Sequence, residues 1–517
     1  MKKIKLISLA STAAVLAAFV PVITTSCSSK DNSKIAKYSR VYSSVPQVTF
    51  VDSNESSSDT VDFTPIFVNM DDQEFSPSVK WKYTVEKINF EGVSGDDDCV
   101  DFSFDNGKLT INYTGDSGKP ITRIVEYIVT VSANTIDSDL KGKAVGSADV
   151  TVRVIPQNTN ILIQNGKQIE IDSSVKLSDF CWKNNQIVLP TSQSSPLTIN
   201  SNQNYTIQEV LLNTFADDDN KALPDDFLSQ CEKLHFLYFG KENSGYTSIG
   251  DNFLRYCEEL PTFDFGCFNE ITKVGADFLR NCIALKYVDY TSDKEVVLES
   301  IGSDFMIYCE SLQALDFSFL SKTSTIDTIP DSFLDGCSNL GTVKLRGFEK
   351  VKTIGNSFMH FCSSFTNFDW SDDDSFVYVE KIGDAFMTGC VDLFSYDLSF
   401  LNDLTEVGNY FLSECYTLTD IKLPPNLTTI GAFFLSDSNF GLTTLDMTGL
   451  KSLTSIGINF LDNCYELKTL KLPTQCEPAL DGWGRKLDKL NTINCGNKLE
   501  YYKNANIWKQ KAELMVA

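Results

Sequence analysis

The stretch "IGDNFLRYCEEL", residues 249–260, returns in altered form all along the C-terminal half of the chain. Aligned on its phenylalanine, ten copies stand 23 to 28 residues apart, at Phe227, Phe253, Phe278, Phe305, Phe333, Phe358, Phe386, Phe411, Phe434 and Phe460. Leu or Met follows each Phe, and four residues after it comes cysteine in nine copies: Cys231, Cys257, Cys282, Cys309, Cys337, Cys362, Cys390, Cys415 and Cys464, with Ser438 in the remaining place. Three residues further lies a large apolar group such as Leu234, Leu260 or Leu285; the copy with Ser438 has Gly441 there and Leu442 next. A fixed period of this length is the mark of a solenoid, in which each coil buries its apolar side only against its neighbours.

The offsets suggest what each coil contains. Phe, its neighbour and the Cys share one face of a short helix. The pattern then changes to period two, as in Phe263 with Phe265 or Leu470 with Leu472, so a short strand points alternate residues into the core. Stacked strands would form a parallel ladder on the concave side, with the helices convex. Three residues before the Phe stands glycine in eight copies and proline in two, Pro224 and Pro330. A place that accepts proline does not demand positive φ, and at a helix start a missing N–H is harmless. The cysteines read as small hydrophobes filling the core rather than as reactive groups. A ladder offers no unique disulfide pairing, and no CxxC pair or histidine cluster supports a metal.

The pattern I-G-x-x-F-[L/M]-x-x-C-x-x-L-x-x-L resembles the BspA-like, or treponemal-type, leucine-rich repeats over about residues 215–475. Where that family usually carries Ala-Phe, this chain carries Phe-Leu or Phe-Met. The ending "LEYYKNANIWKQKAELM" is similar to that family's closing segment, which would cap the last coil. The resemblance implies a surface protein engaged in adhesion to host proteins or to other cells.

Upstream the signals differ. Lys2, Lys3 and Lys5 precede a mostly apolar run from Leu6 to Ile23, then Thr24-Thr25-Ser26 and Cys27. This has the anatomy of a signal peptide over residues 1–26; a membrane helix of that length is weakened by Pro21 and the Ser/Thr content. "ITTSCSS" resembles the lipobox of bacterial lipoproteins, and with "MKKIK" it is similar to those of wall-less bacteria, although Thr24 replaces the usual leucine. The resemblance implies lipidation of Cys27 and an anchor on the extracellular face of the membrane; the Ser- and Lys-rich segment that follows reads as a flexible stalk, giving a lipidated stalk over 27–46. From 47 to 156, strand-like segments with a hairpin signal at Asn106-Gly107 suggest an all-β, Ig-like sandwich. Residues 157–215 read as a linker and N-terminal cap, 216–475 as ten repeats, and 476–517 as a C-terminal cap.

Function is narrowed by charge. Acidic residues outnumber basic ones by 69 to 44, a net charge of -25, and a phosphate backbone would repel that surface, so nucleic acid is not expected as a partner. His235 and His360 are the only histidines, and without a nucleophile motif nothing argues for an enzyme or a cofactor. The outward residue of each strand gives one column: Tyr238, Asp264, Asp289, Asp316, Lys344, Asp369, Asp397, Lys422, Asp446 and Lys471. These carboxylates either bond neighbouring backbone or form a site for a basic protein segment or a divalent cation. The runs Asp96-Asp97-Asp98, Asp217-Asp218-Asp219 and Asp372-Asp373-Asp374 lack the glycine and distal glutamate of a calcium loop and read as solvated turns, so calcium is possible but unsupported. Two readings follow: an anchored binding module, or a structural or antigenic coat protein without a specific ligand.

Overall fold

The structure, a computed structural model, describes residues 36–43, 47–52, 56–69, 74–75, 78–88, 99–114, 121, 124–135, 144–192, 195–218, 221–240, 244–366, 375–438, 441–476, 479–480, 486–498 and 515–516. The chain divides into two compact units, one holding Phe19–Ser173 and Glu209–Thr214, the other Ser174–Gln208 and Phe215–Ala517. Cys27 and the signal segment lie outside the described residues, as does most of the C-terminal cap.

In the first unit, β-branched and aromatic runs with period-two burial pair into two sheets. One contains β1 (Ala36–Ser43), β3 (Ser57–Asn69), β7 (Lys108–Tyr113) and β6 (Val100–Asp105) in that order, with β4 (Glu74–Phe75) beside β3. The other runs β2 (Gln47–Val51), β9 (Ala144–Ile155), β8 (Val125–Thr135), β5 (Val79–Ile88), with β2 and β9 parallel. Val61, Phe63, Leu109 and Ile111 from one sheet share a buried core with Val129, Val131, Val150 and Val152 from the other. Asn106 (φ 44°) and Gly107 (φ 85°) close the hairpin between β6 and β7 in the left-handed conformation this turn needs. Residues 36–43, expected as stalk, are instead a strand that pairs with β3. Inside the expected linker, β10 (Asn160–Gln164) and β11 (Lys167–Ile171) form a further hairpin.

The second unit is a parallel β-solenoid of ten coils. It carries two strand ladders rather than one. The expected ladder is there as three-residue strands, but in separate paired groups rather than one run: Thr262–Asp264 with Tyr287–Asp289, Ala314–Asp316 with Thr342–Lys344, Ser395–Asp397 with Asp420–Lys422, and Thr444–Asp446 with Thr469–Lys471. A second ladder of two-residue strands, Ala222–Leu223 and Ser248–Ile249 through Ser455–Ile456, lies just ahead of the Gly/Pro position.

Between the ladders the expected convex helix is absent. Three residues per coil have positive φ instead, for example Asn252 (59°), Leu254 (54°) and Tyr256 (60°), and the alternation repeats to Asn459, Leu461 and Asn463. A left-handed residue between right-handed ones turns successive amides to opposite sides of the chain. Asn252 N–H donates to Ala276 O of the next coil (2.8 Å), Leu254 N–H to Phe227 O of the preceding coil (2.9 Å), and Tyr256 N–H again forward to Arg280 O (2.8 Å). A helix would satisfy its amides internally. Here they bind coil to coil.

The interior has the residues the repeat predicts. Consecutive phenylalanines stack at 5.0–5.8 Å between ring centroids and within 15° of parallel, from Phe227 to Phe460. The stack is closed at its N-terminal end by Phe180, whose carbonyl accepts Leu228 N–H (3.0 Å) as each later Phe carbonyl accepts the next coil's amide.

The nine cysteines are buried and unbridged. They are more than filler. From Cys257 to Cys464 each Sγ lies 3.1–3.4 Å from the carbonyl of the Leu or Met one coil back and donates to it. Ser438 keeps the bond to Leu412 O at 3.1 Å, which explains why the one replacement is another donor.

The glycines before each Phe lack positive φ, in accord with the alternative proline, but their reason is proximity. A Cβ on any of the eight would sit 2.3–2.7 Å from the preceding coil. Their N–H is also not expendable, because each donates to the preceding coil's second-ladder carbonyl at 2.8–3.0 Å, as Gly355 does to Ile329.

Candidate functional site

The outward column of the three-residue ladder is the surface where the sequence placed its site residues. Register alignment sets Asp264 beside Asp289, Asp316 beside Lys344, Asp397 beside Lys422 and Asp446 beside Lys471. Asp369 lies outside the described residues. Tyr238 is half-buried at the N-terminal end, and desolvation first and Asp264 second push its phenol up to about 12.

Most of these carboxylates are occupied locally. Asp264 accepts Gly266 N–H (2.8 Å), Thr291 N–H (3.2 Å) and Thr291 Oγ1–H (2.6 Å). Asp316 accepts Ser318 N–H (2.7 Å), Asp397 accepts Ser399 N–H (3.0 Å), and Asp446 accepts Thr448 N–H (3.0 Å). The three lysines answer the aspartate one coil back: Lys344 to Asp316 (3.3 Å), Lys422 to Asp397 (2.6 Å), Lys471 to Asp446 (2.8 Å). Desolvation acts to raise the carboxyls of Asp397 and Asp446, but the bonds from Lys and from Ser or Thr outweigh it and hold them below the usual range.

Asp289 differs. Its neighbour across the ladder is another carboxylate, and it sits mid-face among flanking coils. That crowding first, and the charge of Asp264 second, push its pKa up to about 7 although water reaches the residue. The column therefore falls into two parts: an acidic stretch at Asp264 and Asp289, and a stretch of Asp–Lys pairs from Asp316 onward.

The other singled-out residues are accounted for by structure. Asp218 is no solvated turn: it is buried, and accepts Ser178 N–H (3.2 Å), Ser178 Oγ–H (2.6 Å) and the buried Tyr246 hydroxyl, tying the cap to the first coils. Asp217 pairs with Lys221 at 3.0 Å. Asp96 to Asp98, Asp219 and Asp372 to Asp374 lie outside the described residues. Among the described residues no group of His, Cys, Asp and Glu is gathered for a metal, and no helix is long and apolar enough to cross a membrane. Nδ1 of His360 lies 3.1 Å from Asp335 Oδ1, and that of His235 lies 3.2 Å from Lys233 O. Burial pushes the thiols of Cys282 and Cys464 up to about 12, far from thiolate chemistry at neutral pH.

The coil geometry is matched by comparison with known families. The model of the BspA type leucine rich repeat region (6 copies) matches residues 163–286, 247–393 and 380–511, together more than half of the chain. The chain belongs to the BspA-type leucine-rich repeat family. Members of this family are typically surface-exposed, non-enzymatic proteins that interact with other proteins.

Among solved structures the chain is similar to a leucine rich cell surface protein from Faecalibacterium prausnitzii, at 13% identity over 63% of this chain and 93% of that one, TM-score 0.28. It is similar also to leucine-rich repeat proteins from Bacteroides ovatus (14% identity, 65% and 98% covered, TM-score 0.28) and Eubacterium ventriosum (15%, 60% and 86%, TM-score 0.27). No curated protein matches the chain.

Proposed function

We propose that this protein is an adhesion module: a lipoprotein held at the extracellular face of the membrane through Cys27, presenting its solenoid to a protein on a host or neighbouring cell. The observation that carries the reading is the acidic stretch of the outward column. Asp264 and Asp289 lie side by side with no lysine from an adjoining strand between them, while three aspartates further along each have one. Like charges on neighbouring strands about 4.8 Å apart repel. A basic segment of a partner would relieve that repulsion in the way Lys344, Lys422 and Lys471 do within the chain. The contact surface is the column from Tyr238 to Lys471, with its acidic end leading. The two-sheet first unit, Ig-like in its two-layer build, serves as a spacer between anchor and solenoid.

The test is binding of purified residues 28–517 to extracellular matrix proteins and epithelial cells, with and without calcium. Saturable binding that falls at least tenfold in the triple variant Asp264→Asn, Asp289→Asn, Asp316→Asn, with the circular dichroism spectrum unchanged, supports the reading. Binding that is absent, or unaffected by the triple variant, refutes this site; absence together with antibody selection of length variants favours the coat protein.

A further inference from the structure

Pro330 replaces, in the fifth coil, the glycine that eight other coils carry ahead of their phenylalanine. Two consequences follow from covalent structure alone. Proline has no N–H, so the bond that Gly302 gives Val274 O and Gly355 gives Ile329 O has no counterpart from Pro330 to Ile301 O. Proline also carries a Cβ where every glycine in the series would set one 2.3–2.7 Å from the coil before. The fourth and fifth coils thus cannot make the regular glycine junction on this side.

The ladder responds. The two-residue strands pair without a break from Ala222–Leu223 to Ser300–Ile301, and again from Thr328–Ile329 to Ala479–Leu480, but Ser300–Ile301 and Thr328–Ile329 do not pair. In place of the regular bonds are Thr325 N–H to Leu298 O (2.8 Å) and a bridge between Val296 and Leu320 in the intervening loops.

The opposite sides of the same junction are intact. Leu334 N–H donates to Phe305 O (3.0 Å), Tyr308 N–H to Asp335 O (2.7 Å), and Cys337 Sγ–H to Met306 O (3.2 Å). Phe305 and Phe333 stack at 5.1 Å, and the three-residue strands Ala314–Asp316 and Thr342–Lys344 stay paired.

The only other proline in this position, Pro224, opens the first coil, which packs on the cap at Phe180 rather than on a regular coil. Both proline coils begin a run of side-chain caps. Asp225 accepts Asp251 N–H and Asp251 accepts Ala276 N–H; Asp331 accepts Asn356 N–H, Asn356 accepts Asp384 N–H, Asp384 accepts Asn409 N–H and Asn409 accepts Ala432 N–H. The first run stops at Ala276, and Ser303 does not extend it. The fifth coil is built as a first coil.

We infer that the solenoid is two stacks, coils one to four and five to ten, meeting at a one-sided hinge at Pro330 that opens along the two-residue ladder while the phenylalanine column and the paired strands Ala314–Asp316 and Thr342–Lys344 act as its spine. Opening at this seam precedes opening along the two-residue ladder at any other junction, and lets Asp264, Asp289 and Asp316 tilt against the outer face from Lys344 onward, with the Asp316–Lys344 pair bridging the seam.

Hydrogen exchange on the full chain, read by mass spectrometry, tests this. Peptides carrying residues 325–331 should exchange about tenfold faster than those carrying 378–385 and 403–409, which lie at regular junctions and whose amides, like Glu380 N–H to Lys352 O and Thr405 N–H to Glu380 O, donate to the coil before. Pro330→Gly should slow exchange at the seam about threefold to tenfold, the worth of one net backbone hydrogen bond, and leave the other junctions unchanged. Pro224→Gly should leave the seam unchanged. Equal exchange at all junctions in the natural chain overturns the hinge, as does a Pro330→Gly variant with native circular dichroism and unaltered exchange at the seam.

Discussion

Gly431 is the position at which the coil-to-coil fit can be tested most sharply. A Cβ built there lies 2.3 Å from both the carbonyl carbon and the oxygen of Gly408 and 2.6 Å from Asn409 N. Carbon atoms pack at about 3.5–4.0 Å, so the overlap exceeds an ångström, and the atoms struck belong to backbone that no rotamer can move. Overpacking of this kind costs up to about 3 kcal/mol, occasionally more. Separating the coils also breaks the Gly431 N–H bond to Val407 O (2.9 Å), a further ~1 kcal/mol. Gly431→Ala should therefore destabilise the solenoid by about 4 kcal/mol, which for a cooperative unit of this size lowers the melting temperature by about 8–16 °C. Gly449 is the internal control. It has no atom within 4 Å of its would-be Cβ and no positive φ, so Gly449→Ala should be neutral or stabilise by about 0.4–1 kcal/mol through the unfolded chain. Thermal melts followed by far-ultraviolet circular dichroism on the same preparations compare the two. A Gly431→Ala protein that melts with the natural chain, or a Gly449→Ala protein that falls as far, would show that close approach is not why glycine stands there.

Two further outcomes follow from the interior and the outer column. Cys390→Ser should keep the bond to Met359 O (3.4 Å in the native thiol) and melt near the natural protein, whereas Cys390→Ala loses donor and volume together and costs about 1–2 kcal/mol; urea denaturation ranks the pair, and the reverse order would refute the donor role. Asp289 holds a proton more tightly folded than unfolded, so the native state is favoured at low pH, and that advantage is lost as pH rises from about 4 to about 7. Asp289→Asn should match the natural chain in stability at pH 4 and exceed it at pH 8; a gain of equal size at both would refute the titration.

Much of this architecture is written in the repeat. The period, the buried Phe, Leu and Cys, and the register of the three-residue strand all follow from apolar spacing, because burial is what that spacing records. The convex segment does not follow. Apolar residues at i, i+1 and i+4 suit a helical face and an alternating turn chain equally well, and what separates them is polar. Asn252, Asp277, Asp304 and Asn459 before the phenylalanine, with Asn281, Gly336, Gly389 and Asn463 after it, are residues that tolerate left-handed backbone. The second ladder was hidden for another reason: one buried Ile or Val per coil, as at Ile249 or Val274, is too little to show a period of two. At the outer column the sequence names the residues in register, but which aspartate meets a lysine depends on stacking order, and Asp289 is distinguished only by what stands beside it.

The turn chain sets a rule for how such an array can change over generations. Each of the first nine coils passes amides forward at two points and back at a third, so a coil removed or duplicated whole leaves each donor facing an acceptor of the same kind. An insertion of one residue between Ile430 and Phe434 would instead throw all three out of phase. Arrays of this kind can therefore lengthen or shorten in whole-number steps while remaining foldable at each, and the length of the solenoid becomes a quantity adjusted by recombination rather than by point mutation.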